Sequence, residues 1–118
     1  CGDVCASAVC VGHAVTTPAE IDGSVVLAKV PSDTTISWTD APGPYAVYRG
    51  SNGSGTWTYN HTCLAPGLAA TSIVDSAVPA PGLFFYYLVT RFNECRESVP
   101  GEDGHMNPIP NATPCPAP

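Results

Sequence analysis

Hydrophobic and polar positions alternate along much of the chain with a period of two, the period of a half-buried strand. Thr35, Ser37 and Thr39 interleave with Ile36 and Trp38, so Thr34–Thr39 predicts a strand with one wet face and one buried face. Ser24–Val30 is a second β-rich run, separated from the first by the turn Pro31-Ser32-Asp33. Beyond the turn Ala41-Pro42-Gly43-Pro44, a strand is expected over Tyr45–Arg49, then a flexible Gly/Ser/Asn loop over Gly50–Gly55. The pattern continues with a short strand over Trp57–Thr62, a loop over Cys63–Ala70 and a strand over Thr71–Val78. Pro79-Ala80-Pro81-Gly82 then turns the chain into Leu83–Phe92, the most apolar strand. From Glu97 onward, Pro, Gly and Asn leave room for one edge strand at most. Residues 1–20 are small and apolar and lack a helical period; they read as an N-terminal arm ahead of a domain spanning 21–118.

Leu83–Phe92 is aromatic on both faces. Phe85, Tyr87 and Val89 share one face, and Phe84, Tyr86, Leu88 and Phe92 share the other. One face belongs to a core. The second face of an ordinary sandwich is wet, so this one is expected to be covered. Two covers are available: the chain's own arm, through Val4, Val9, Val11 and Val15, or a neighbouring domain or second copy.

Composition narrows the class. The 118 residues carry a formal net charge of -6 and only 12% charged residues. With Lys29, Arg49, Arg91 and Arg96 as the fixed cations, nucleic acid is not expected as a partner. No apolar run approaches the roughly 18 residues of a membrane-spanning helix. Thirteen prolines and eleven glycines oppose helices, leaving an all-β sandwich.

Cys1, Cys5, Cys10, Cys63, Cys95 and Cys115 make an even set without C-x₂-C spacing, which predicts disulfides and an oxidising, secreted or cell-surface location. A lipid-bearing Cys1 would leave an odd five thiols, so all six are taken as bridge partners. The layout suggests that Cys95 bridges Cys115, closing a loop of about 20 residues worth about 3 kcal/mol. Cys63 would then tie the arm to the domain through Cys1, Cys5 or Cys10.

The order of motifs resembles a fibronectin type III domain over residues 21–99. Thr35-Ile36-Ser37-Trp38 is similar to that family's second strand, Tyr45-Ala46-Val47-Tyr48-Arg49-Gly50 to its third and Thr71-Ser72-Ile73-Val74-Asp75 to its fifth. Pro81-Gly82 with Phe85, Tyr87, Val89 and Asn93 resembles its sixth strand, and Cys95 two positions after Asn93 fits the cysteine-bearing modules of bacterial surface proteins. The resemblance implies an antiparallel β-sandwich of about seven strands, here with a disulfide-tethered arm. Phe85 stands at the tyrosine-corner position, leaving Tyr86 as the substitute.

Candidate chemistry is sparse. His13, His61 and His105 have no nucleophile or acid–base partner nearby and read as solvated loop histidines, so no enzyme activity, metal or cofactor is expected. Trp57 and Tyr59 share a strand face beside a Gly/Ser loop, which would suit sugar stacking. Asn52, Asn60 and Asn111 lie in N-x-[ST] sequons as glycan acceptors. These readings predict a non-catalytic extracellular structural or assembly module, a domain of a surface protein or the subunit of a filament or pilus-like fibre. Its contacts with other domains or copies of itself would run through the arm and the aromatic face Phe84, Tyr86, Leu88 and Phe92. The alternative is a polysaccharide-binding module using Trp57 and Tyr59.

Overall fold

The computed structural model describes residues 4–6, 9–11, 17–93 and 96–116, with β1 (Val4–Ala6), β2 (Val9–Val11), β3 (Val26–Val30), β4 (Asp33–Ser37), β5 (Tyr45–Asn52), β6 (Thr62–Leu68), β7 (Ser72–Asp75) and β8 (Phe84–Arg91). β1 and β2 pair as a two-stranded sheet of their own, with Cys5 opposite Cys10. The other strands form two antiparallel sheets ordered β3-β4-β7 and β6-β5-β8. Among the described residues the sandwich therefore has six strands where about seven were expected.

Between the sheets lie Ile36, Trp38, Tyr45, Val47 and Val89, with Leu64, Leu68, Ile73 and Tyr87 packed around them. Trp38 and Tyr45 meet edge to face at 5.2 Å. The Ile36/Trp38 and Tyr87/Val89 faces read from the alternation are the buried ones. Charge closes both ends. At one end Arg91 pairs with Asp40, whose other contacts include the Asp22 N–H at 3.0 Å. At the other, Arg49 grips Asp75 through both carboxylate oxygens at 2.9 Å and covers the Phe85 ring.

Thr62–Leu68 corrects the loop expected over Cys63–Ala70, and residues 57–60 are not a strand. β6 hides from pattern reading because its pairing with β5 slips twice, between Tyr45 and Val47 and between Val47 and Tyr48. Each slip inserts residues that break the period of two. Pro66 is tolerated because β6 is an edge strand, and Gly67 takes the left-handed φ of 59° at the first bulge. The result puts Cys63 on the outer side beside Tyr48, while Leu64, Ala65 and Leu68 face the core.

What covers the outer face of β6-β5-β8 is the C-terminal segment. Cys63 is bonded to Cys115, and Cys115 packs with Ala46, Tyr48, Phe92 and Leu88. This overturns both expected pairings, since neither Cys95–Cys115 nor a bridge from Cys63 to the arm is compatible with it. Cys95 and Cys1 themselves, and the side chains of Val4, Val9, Val11 and Val15, lie outside the described residues. Phe92 and Leu88, expected at an interface with another chain, are therefore covered from within. Tyr48 Oη donates to Glu97 Oε2 at 2.5 Å and accepts the Cys115 N–H at 2.8 Å; Thr90 Oγ1 donates to the same Glu97 oxygen. Thr113 Oγ1 donates to the His61 carbonyl.

The Cys63–Cys115 bridge spans 52 residues, for which chain entropy gives about 4 kcal/mol. A Cys63→Ala/Cys115→Ala variant is expected to lose about that much stability in urea unfolding, and a non-reducing peptide map of the native chain to join these two cysteines.

Candidate functional site

Gly50 stands directly opposite Tyr86 in the β5–β8 ladder. A Cβ there would sit 2.2 Å from the Tyr86 ring, so its absence lets the phenol lie flat across β5. The hydroxyl then accepts the Asn60 N–H at 2.8 Å and lies 3.0 Å from His61 Nδ1. This reaches a segment 26 residues upstream, so Tyr86 does not make the local corner bond suggested for it.

Residues 57–61 run beside β5 without a backbone ladder because two side-chain amides replace it. Asn52 binds Thr58 through both amide atoms, at 3.0 Å to its N–H and 2.9 Å to its carbonyl. Asn60 does the same to the Ser51 N–H and carbonyl at 3.0 and 2.8 Å. Asn52 is buried, and Asn111 Nδ2 points to Glu97 Oε1 at 3.4 Å. All three sequon amides are thus engaged in holding the fold.

Held this way, Trp57 lies 4.8 Å from Tyr86, and 6.0 Å from both Phe84 and Tyr59. The two sets of aromatics that the sequence suggested separately, Phe84 with Tyr86 and Trp57 with Tyr59, form one cluster. Trp57 and Phe84 remain 45% and 47% exposed. Trp57 and Tyr59 meet at 77°, so they do not form a flat two-ring platform.

His61 corrects the expectation of a solvated histidine. It is 4% exposed, edge-on to Tyr48, Tyr59 and Tyr86. Sequence offered no signal for this, since its neighbours Asn60 and Thr62 are polar. Burial pushes its pKa below the usual imidazole value, against a Pro110 carbonyl that favours the proton. Burial also raises the Tyr86 phenol, and burial and the carboxylate of Glu97 both raise the Tyr48 phenol. For Tyr87, burial and the bond to Asp75 at 2.7 Å push the phenol up to about 12. Burial alone would raise Asp75, but Arg49, Tyr87 and the Ala77 N–H hold it below the ordinary carboxylate value. Among the described residues no group of three or more His, Cys, Asp and Glu is placed to hold a metal, and no helix is long and apolar enough to cross a membrane.

Two outcomes are expected. Gly50→Ala displaces the Tyr86 ring and costs about 1–3 kcal/mol, read as a lower urea midpoint with changed near-ultraviolet dichroism. With a depressed folded pKa, His61 takes up a proton more readily in the unfolded chain. Its contribution is whole above about pH 6.5 and is lost as pH falls below that value. The thermal midpoint therefore falls between pH 7 and 5, and falls less in His61→Gln.

No known family model matches the sequence, and no curated protein matches it. Among solved structures, a fibronectin type III-like protein from Clostridium thermocellum is similar, with 26% identity, a TM-score of 0.54, and coverage of 71% of this chain and 85% of that one. The fold is fibronectin type III-like, a sandwich that typically serves as a non-catalytic domain.

Proposed function

We propose that the chain is a non-catalytic, extracellular structural or assembly module, with an arm over 1–20 and a sandwich over 21–118, that docks onto protein through its aromatic cluster. The observation that carries this reading is the half-exposed pair Trp57 and Phe84 in a cluster that the tail leaves uncovered. Exposed aromatics gathered in one apolar patch are what protein interfaces use as anchors. The Cys63–Cys115 bridge suits an extracellular setting, in a surface protein or in the subunit of a filament. The steep Trp57–Tyr59 angle favours protein over the polysaccharide alternative, because sugar rings stack on open, flat faces.

Sedimentation velocity over a concentration series tests this, beside retention on insoluble polysaccharides. The expected result is self-association that Trp57→Ala weakens by at least tenfold, about 1.4 kcal/mol, at an unchanged thermal midpoint. A monomer at every concentration, with polysaccharide retention lost in Trp57→Ala, would establish the sugar-binding alternative instead.

A further inference from the structure

The six-strand count leaves a gap with a definite shape. After the Phe92–Glu97 bridge the tail turns away from β8, so among the described residues β8 has a ladder partner only on its β5 side. Arg91 bonds outward, its carbonyl accepting the Ser98 N–H and its N–H donating to Ser98 Oγ. By alternation the N–H and C=O groups of Val89, Tyr87 and Phe85 point the same way, and none has a backbone partner among the described residues. Above this edge runs β3. Its Leu27 is paired with core residue Ile36 and so belongs to the inner face, yet it is 50% exposed. Between the two strands lies a groove of about 300 Å³ lined by Leu27, Lys29, Pro79, Phe84, Phe85 and Tyr87.

An apolar slot beside a row of free backbone donors and acceptors accepts an extended strand. The roof formed by β3 admits a thin element and excludes the edge of a second sandwich, which would bring its own second layer. Among this chain's own strands, β6 is unfit to donate because of Pro66 and its two bulges, and β3 and β7 are backed by the opposite sheet. β1 and β2 pair only with each other among the described residues, and their sequences are Val, Ala and Cys. Charge agrees. Arg49 and Arg91 are paired with Asp75 and Asp40, whereas Lys29 at the slot has no ion-pair partner among the described residues. Asp3, just ahead of β1, is the one carboxylate before Glu20.

We propose that the slot between β3 and the free edge of β8 receives the N-terminal hairpin of a second copy of this chain, which adds its β1 edge to the β6-β5-β8 sheet with Asp3 toward Lys29. This rests on the assembly reading and names its partner, but it uses a surface separate from Trp57. The test titrates a synthetic peptide of residues 1–17, cysteines replaced by serine, onto the isotope-labelled full chain. Binding is expected to shift the Phe85, Tyr87 and Val89 amides and to slow their hydrogen exchange at least tenfold. Lys29→Glu and Leu27→Glu, both at exposed positions, each weaken the peptide at least tenfold, and an Asp3→Lys peptide recovers affinity for Lys29→Glu. Three results would overturn the proposal: no binding at millimolar peptide, binding indifferent to both slot variants, or amides already protected in the isolated monomer because its own arm lies there. Trp57→Ala leaves peptide binding unchanged, so failure of the aromatic docking surface and failure of the slot are read separately.

Discussion

Tyr48 fixes the C-terminal segment on the outer face of β6-β5-β8. Its hydroxyl is shared between two points of that segment far apart in sequence, donating to the Glu97 carboxylate and accepting the Cys115 N–H. Thr90 on the neighbouring strand donates to the same carboxylate, and the Cys63–Cys115 bridge locks the far end. A buried hydroxyl with both roles filled is stable there, while one left unpaired would cost about 1–3 kcal/mol. The segment is therefore committed to the outer face of β6-β5-β8. It buries Phe92 and Leu88, and in doing so cannot lie along β8 as a further strand. That route leaves the β8 edge without a second ladder partner among the described residues.

The interior charges show the same economy. Asp40–Arg91 and Arg49–Asp75 each bridge separate elements at opposite ends of the sandwich, and each carboxylate takes further hydrogen bonds, Asp40 from the Asp22 N–H and Asp75 from Tyr87 and the Ala77 N–H. Such pairs offset their desolvation best when their remaining polar atoms are bonded; Asp75 meets this through Tyr87 and the Ala77 N–H, while Arg91 keeps a buried Nε without a partner among the described residues. Two of the four fixed cations are thereby committed to closing the fold, which leaves Lys29 and Arg96 at the surface.

Strands whose partners run in plain register were readable from the sequence. β4 shows clean alternation, β5 and β8 pair with each other without a slip, and the four motifs of the fibronectin-type resemblance lie on these strands and on β7. What failed was non-local. β6 was invisible because two bulges erase its period, and the disulfide pairing could not be inferred because it depends on those bulges and on the route of the tail. The bonds of Asn52 and Asn60 were equally invisible: a sequon is a local pattern, and it does not show that these amides replace a ladder between β5 and residues 57–60. His61 looked solvated for the same reason: its cover comes from Tyr48, Tyr86 and the tail, none of them near it in sequence. The aromatic candidates were readable singly, but their union depended on Gly50.

Phe84 belongs to both exposed surfaces, lining the slot on one side and touching Trp57 on the other. This adjacency has a consequence for assembly. A slot and an arm on one chain are different surfaces, so their contact is heterologous and repeats head to tail, closing only if the rotation between copies permits a ring. The aromatic cluster lies on the outer face and is not consumed by that contact. A chain of copies joined through slots would carry one cluster per copy at a fixed place beside each junction, where the ordering of β8 by an added strand also fixes Phe84. Head-to-tail growth and lateral docking then use separate residues that meet at a single side chain.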